Sequence, residues 1–250
     1  MTDGEDKMQK YQELKQYIEK AERICVFTGA GISCPSGIPD FRSADGLYNQ
    51  DGMGHYSPEQ IISHSFFVSH TDMFYEFYKD KMIYETAKPN SAHIFFADLE
   101  KKGKQVSIVT QNIDGLHQAA GSKKVYELHG SIHRNYCTNC GEFYNLSYIV
   151  NSSGVPKCRK CGAVVKPDVV LYEEPLDEKE INGAVEAISS SDLLIVVGTS
   201  LTVYPAASFI RYFHGDKTVL INKSETQLDN VANLCFNEDI IKVIEKIKRV

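Results

Sequence analysis

Ile24-Cys25-Val26-Phe27-Thr28-Gly29-Ala30-Gly31 is an unbroken apolar run that stops in a turn of small residues. A strand with one wet face alternates apolar and polar positions. A run without alternation suits a strand covered on both faces, as in a parallel sheet. Four more such runs lie at 106–110, 125–128, 193–197 and 218–221, with helical patterns between them at 91–102, 178–189 and 206–213. Strands alternating with helices predict an α/β protein on a Rossmann-like, doubly wound parallel sheet. The loop after the first strand of such a sheet brings backbone N–H groups against a pyrophosphate. That makes Gly29, Ala30 and Gly31 candidates for cofactor binding; a tight turn without a ligand would use the same residues.

The next stretch, Ser33-Cys34-Pro35-Ser36-Gly37-Ile38-Pro39-Asp40-Phe41-Arg42, cannot continue as a regular helix through two prolines and a glycine. A dehydrogenase fingerprint runs straight into a helix and places an acidic ribose ligand at a second strand end about 20 residues on. Here that distance lands near Asp51, in a Gly-rich stretch with no strand. Hydride transfer is therefore disfavoured, and the long loop is expected to carry Asp40, Phe41 and Arg42 over a bound nucleotide.

Two stretches break the strand–helix alternation. Residues 46–87 are rich in Tyr, Phe, His and Met at helical spacing, and 132–165 carry Cys137, Cys140, Cys158 and Cys161. The expected organisation is a Rossmann-like domain over 1–45, 88–131 and 166–250. A helical insertion (46–87) and a zinc-ribbon insertion (132–165) form a smaller domain. The cysteines read C-x2-C, 17 residues, C-x2-C, within the range of one-zinc ribbons. A two-residue gap lets a tight turn aim both thiolates at one tetrahedral ion, and Gly141 and Gly162 stand where such turns need glycine. Four thiolates leave no open coordination position, so the zinc is expected to be structural. Unliganded core cysteines and a redox C-x2-C are the competing readings. Cys25 and Cys235 lie in apolar runs and are expected to be buried.

The chain has 250 residues and a formal net charge of −6, which argues against broad attraction to nucleic acid. No apolar run approaches the roughly 20 residues that span a bilayer. Near the amino end Met8, Tyr11, Leu14, Tyr17 or Ile18, and Ala21 recur at helical spacing and do not form the apolar core of a signal peptide. A cytoplasmic location with reduced cysteines is the simplest expectation.

Other polar clusters fall at predicted strand ends. Thr110-Gln111-Asn112-Ile113-Asp114-Gly115-Leu116-His117 places five polar side chains where ligands enter open α/β sheets, although Asn112 or Asp114 could equally cap the next helix. His129 follows the third strand beside Gly130. A histidine with a reference pKa of about 6.5 can take a proton at neutral pH; a structural role is the alternative. Gly198-Thr199-Ser200 and Asn222 close two more strands, as ligands of phosphate or ribose or as turns.

Together these pieces resemble the sirtuin family: Gly29-Ala30-Gly31-Ile32-Ser33, Gly37 to Arg42, Thr110 to His117, His129-Gly130, the four cysteines and Gly198-Thr199-Ser200, in order from about residue 20 onward. The resemblance implies NAD-dependent removal of acyl groups from protein lysines. The acyl oxygen attacks C1′ of the nicotinamide ribose, nicotinamide leaves, and His129 acts as general base on a ribose hydroxyl. It implies that Gln111, Asn112, Ile113 and Asp114 hold the ribose and nicotinamide, with Asn112 also catalytic. Ala30, Cys34, Phe41 and Arg42 would cover the cofactor. Thr199, Ser200, Asn222, Asp239 and Ile240 would hold the phosphate and adenosine side. Val169, Val170, Leu171 and Tyr172 resemble the strand that pairs with an acyl-lysine peptide. There the chain departs from the family pattern: Leu171-Tyr172 replaces a more aromatic pair and Glu173 stands where glycine is usual. Tyr78 with Lys81 replaces the Tyr-x-x-Arg pair that holds acidic acyl groups, which favours neutral ones because lysine lacks the planar fork. The alternatives are an ADP-ribosyltransferase on the same site and, in another class, a zinc-ribbon nucleic-acid-binding module.

Overall fold

The computed structural model describes residues 3–41, 46–47 and 55–250. Strands β1 (Arg23–Thr28), β2 (Gln105–Thr110), β3 (Val125–Glu127), β7 (Leu193–Val197), β8 (Lys217–Ile221) and β9 (Leu234–Phe236) form one sheet in the order β3-β2-β1-β7-β8-β9. Every pairing in it is parallel. The strand order turns outward in both directions from β1 and β7, so their carboxyl ends flank a crevice of the kind that takes nucleotides. The five strands expected from sequence are present to within one residue at each end. The sixth, β9, carries no strand signal in the sequence because its three residues are too short to show a period. Its Cys235, expected to be buried, is only partly so: this edge strand leaves the thiol free to donate to Asp229 Oδ2 at 3.2 Å.

Period-two geometry explains the unbroken apolar runs. Ile24 and Val26 face one layer with Ile108, Ile195 and Val219, covered by α1 (Asp3–Lys20), α5 (Ser91–Lys101) and α9 (Ile240–Ile247). Cys25 and Phe27 face the other with Val109, Val196 and Leu220, covered by α8 (Glu178–Ser189). Each buried Val, Ile or Phe contributes about 1.5–3 kcal/mol, so both faces must be apolar. The expected stripe holds at Tyr11, Leu14 and Ile18 of α1 and at Ala21 just past its end, but Met8 is 48% exposed. Residues 206–212 form a 3-10 helix where an α-helix was expected. Among the described residues no helix is long and apolar enough to cross a membrane.

A second, antiparallel sheet has the order β5-β4-β6, from β4 (Gly130–Cys137), β5 (Phe143–Asn145) and β6 (Val165–Val169). It is flanked by α2 (Pro58–Ile61), α3 (His64–Ser69), α4 (Thr71–Lys81) and α7 (Leu146–Val150). Ile61, Phe66, Phe74, Tyr75 and Tyr78 pack into one cluster with Ile132, Cys137, Tyr144, Ile149 and Val165. Two stretches remote in sequence thus share one core, tied further by a hydrogen bond from Tyr75 Oη to the Val165 carbonyl. Only Leu128 and His129 separate β3 of the large sheet from β4 of the small one. His129 sits at the joint.

Candidate active site

Gly29 and Gly31 leave β1 beside the loop that leaves β7. Gly31 N–H donates to Gly198 O at 2.8 Å and Gly29 N–H to Val197 O at 3.0 Å. A Cβ at Gly31 would lie 2.7 Å from Gly198 Cα, and one at Gly29 2.7 Å from Thr199 Cβ. These glycines are therefore required first by the close approach of two loops at the switch point. Gly198 itself adopts φ +60.

The loop after β2 packs against the same turn. Asn112 Nδ2 donates to Gly29 O at 3.2 Å and to Ser33 Oγ at 3.1 Å. Ser33 in turn donates to Asp114 Oδ2 at 2.7 Å, and Asp114 Oδ1 accepts the Leu116 N–H at 2.9 Å. Asp114 Oδ1 thus makes the Asx-turn expected before the next helix, whose N-cap is Gly115, while Oδ2 is tied to the loop after β1. Burial pushes the Asp114 carboxyl up, opposed by the Leu116 N–H and the Ser33 hydroxyl. Ile113 shares the small-sheet core edge, its carbonyl accepting the Ile132 N–H at 3.0 Å. Gln111 Nε2 reaches Thr199 Oγ1 at 3.1 Å, joining the β2 and β7 loops. Ser33, the common partner of Asn112 and Asp114, was not singled out from sequence. His117, one of the five polar side chains expected at the crevice, is instead buried, its Nε2 3.2 Å from Thr28 Oγ1, and burial keeps it neutral.

His129 Nδ1 lies 2.9 Å from Gln111 O. A carbonyl only accepts, so Nδ1 carries the proton and Nε2 keeps its lone pair. Burial lowers the His129 pKa, partly offset by the Gln111 carbonyl, and the base form is present at neutral pH. The His129 carbonyl accepts the Val170 N–H at 3.0 Å, so the ring's backbone is pinned to β6. Gly130 fixes the turn: it has φ +75, and a Cβ there would lie 1.8 Å from Asp168 O. Gly130→Ala is expected to be strongly destabilising, with about 1–2 kcal/mol from the left-handed backbone alone and more from pushing β6 aside. A lower Tm together with lost turnover would show it, and an unchanged Tm would contradict this geometry. Arg134 braces the same joint, donating to Glu127 Oε2 at 2.5 Å and Asp168 Oδ2 at 2.7 Å.

The remaining expected contacts spread along the crevice. Cys34 is half-buried, its thiol 3.6 Å from Ala30 O and 3.8 Å from Asp40 Oδ2. Phe41 packs on the small-domain cluster, and Arg42 lies outside the described residues. Ser200 bonds Thr202 at 2.8 Å, and Asn222 Nδ2 donates to Ser224 O at 2.8 Å. Asp239 caps α9 through Ile241 N–H at 2.8 Å and pairs with Lys223 at 2.9 Å. The Ile240 side chain is buried in the core, which leaves only its backbone for a ligand.

The four cysteine sulfurs lie within 4.8 Å of one another, with Cys137–Cys161 at 3.3 Å and Cys140–Cys158 at 3.6 Å. Four sulfurs about 2.3 Å from one tetrahedral ion stand about 3.8 Å apart. The separations fit that, and they are far longer than a disulfide bond of about 2.05 Å. Gly141 and Gly162 adopt φ +70 and +78 behind the second cysteine of each pair, as the turns require. The donor set fits one zinc with no open position.

The Sir2 family profile matches residues 29–205. The chain belongs to the Sir2 family. Curated Sir2 relatives called NAD-dependent protein deacetylase include one from Clostridium acetobutylicum, 56% identical over 96% of this chain and 98% of that one. Another, from Clostridium perfringens, is 57% identical over 95% and 98%. Among solved structures, a Sir2 with a p53 peptide and NAD+ superposes with a TM-score of 0.81 at 40% identity, covering 96% of each chain. A Sir2 with deacetylated p53 peptide and 3′-O-acetyl ADP-ribose reaches 0.86 at 38%, over 95% and 97%.

In this Sir2 protein the segment expected to pair with peptide is already well bonded. Val170 N–H goes to His129 O, Leu171 N–H to Glu174 Oε2 at 2.9 Å, and Tyr172 N–H to Ile62 O at 3.0 Å. The Tyr172 carbonyl accepts from His64 N–H, and the Leu171 and Val169 side chains are buried. Among the described residues the Val170 carbonyl accepts no such bond. Glu173, where family members usually have glycine, adopts φ +75. Its carboxylate holds that conformation by accepting Ser65 N–H at 2.9 Å and Ser65 Oγ at 3.0 Å.

Proposed function

We infer that this protein is an NAD-dependent protein-lysine deacetylase yielding deacylated lysine, nicotinamide and O-acyl-ADP-ribose. The observation that carries the reading is the meeting, at one switch-point crevice, of Gly29–Gly31, the Gln111–Asp114 loop and Gly198–Ser200 with a neutral His129 bonded to Gln111. NAD supplies a ribose carbon that becomes electrophilic as nicotinamide leaves. His129 Nε2 accepts a ribose hydroxyl proton, and its Nδ1–H bond to Gln111 keeps the ring in the correct tautomer. Asn112 and Asp114, tied together through Ser33, orient the nicotinamide ribose. Cys34 and Phe41 screen it from water, which would waste the activated sugar. Thr199, Ser200, Asn222, Asp239 and the Ile240 backbone hold the phosphate and adenosine side.

The partners are acyl-lysine peptides, received at the Val170 carbonyl beside Tyr172. Lys81 is paired with Asp80 at 3.1 Å and Tyr78 is fully buried, which supports neutral acyl groups over succinyl. The net charge of −6 speaks against nucleic acid as a partner. The two sheets support a Rossmann-like domain with insertions near 46–87 and 132–165, but the ribbon is wider than those bounds, because β4 starts at Gly130 and β6 runs to Val169 in the small sheet. Four thiolates at ligand spacing suit a reducing compartment, in keeping with a cytoplasmic location.

The test is mass-spectrometric product analysis with NAD and an acetyl-lysine or succinyl-lysine peptide. Nicotinamide and acetyl-ADP-ribose are expected in equal amounts, with the acetyl peptide turned over faster. Labelled ADP-ribose on protein without loss of acetyl would favour ADP-ribosyl transfer. Faster succinyl turnover would overturn the acyl preference.

A further inference from the structure

The turn between β9 and α9 is gripped from outside by the first helix. Glu238 Oε1 accepts the Tyr11 hydroxyl at 2.6 Å and meets Lys7 Nζ at 3.1 Å, while Lys246 Nζ reaches Oε2 at 3.2 Å. Tyr11 is 2% exposed, stacks on Phe236 at 5.3 Å and 26°, and accepts Lys246 Nζ at 2.8 Å. Burial raises the Glu238 pKa, but the donors Tyr11, Lys7 and Lys246 outweigh it and bring the carboxyl down to about 2. One carboxylate thus gathers a buried phenol and two lysines from both ends of the chain.

Holding α9 to the sheet does not need this, because Ile240, Val243, Ile244 and Ile247 are already buried in the core. What the clamp does fix is the backbone directly before Asp239. Asp239 caps α9 and pairs with Lys223 at 2.9 Å. Lys223 follows Asn222, whose N–H donates to Phe236 O at 3.0 Å. The contacts form one connected path, from α1 through Glu238 and Asp239 to Lys223 and Asn222.

We propose that Tyr11 and Glu238 are positioning residues for the adenosine end of the cofactor site, acting through Asp239 and Asn222. This rests on the reading above that Asn222 and Asp239 hold the adenosine. Hydrogen bonds to a ribose or base weaken steeply when their partners shift by a fraction of an ångström. The nicotinamide end, built from Gln111–Asp114 and His129, is anchored separately. Loosening the clamp should therefore raise the KM for NAD and leave the chemical step alone.

Steady-state kinetics with NAD and acetyl-lysine peptide test this in Tyr11→Phe, Glu238→Gln, the double variant and Asn222→Ala. Glu238→Gln is expected to raise the KM for NAD about fivefold and Tyr11→Phe about threefold, with kcat and the peptide KM within about twofold. The double variant should be no worse than Glu238→Gln, because the two side chains act as one unit. A lower Tm with an unchanged NAD KM in Glu238→Gln would show the cluster to be only structural and overturn the proposal. If Asn222→Ala raises the NAD KM while Glu238→Gln and Tyr11→Phe do not, the positioning role alone fails. An unchanged NAD KM in Asn222→Ala rejects the adenosine reading, and the proposal with it.

Discussion

His129→Ala is expected to lower NAD-dependent deacetylation about 10²–10⁴-fold, the range a positioned general base supplies. The loss should be selective. Nicotinamide release precedes the proton transfer assigned to His129, so exchange of labelled nicotinamide into NAD should survive in the variant while acetyl-ADP-ribose disappears. The fold should survive too, because the bonds that pin this joint belong to the backbone: His129 O accepts Val170 N–H at 3.0 Å, and Leu128 N–H donates to Thr110 O at 2.9 Å. A base works only when deprotonated. Burial lowers the His129 pKa and the Gln111 carbonyl offsets part of that, so the acid limb of kcat/KM should fall below about 6.5, the reference value for histidine. Full activity in His129→Ala would remove the assignment, and an acid limb above that value would contradict its burial.

Cys137→Ala should abolish activity by a different route. The Cys137 and Cys158 side chains are buried, whereas Cys140 and Cys161 are exposed. Cys158 Sγ also accepts the Tyr144 hydroxyl at 3.2 Å. Removing one of four thiolates forfeits much of a binding free energy of about 10–16 kcal/mol for a structural zinc, more than a small antiparallel sheet can replace. Zinc content should drop from one ion per chain to none. Amide exchange should accelerate through β4, β5 and β6, while β1, β2 and β7 stay protected. β4 begins at Gly130 and β6 ends at Val169, so His129 and Val170 lose their common brace and turnover is lost with them. A zinc-free variant with normal turnover would show that the ribbon is not needed to hold the site.

The two predictions differ in how far the sequence already carried them. The cysteine spacing already pointed to one four-cysteine zinc site, because two-residue gaps and following glycines are local geometry, and the clustered sulfurs fit it. For His129 the sequence leaves a base and a structural role open; the fold adds Gln111 O 2.9 Å from Nδ1, a contact across 18 residues that sets the tautomer. Other readings moved as well. Gly29 and Gly31 read as ligand-approach or tight-turn glycines, and the nearest atoms to their missing side chains, in Gly198 and Thr199, add a close loop contact as a further reason for them. Ile240 has a core side chain, which confines the expected cofactor contact to its backbone. Ser33 belongs to a family-like stretch but had no role legible in the chain, because only the fold brings it between Asn112 and Asp114.

Sequence by itself determined the alternation of strands and helices, the switch-point glycine loop, the zinc set and the family, since each is written in spacings of a few residues. Tertiary structure alone decided which polar groups share a proton or a partner: Gln111 with His129, Ser33 with Asn112 and Asp114, and Tyr11 with Glu238, 227 residues away. Local pattern reports which face of an element is apolar. It cannot report which of several distant carbonyls or carboxylates a buried donor will meet, because chain crossings and packing set that choice.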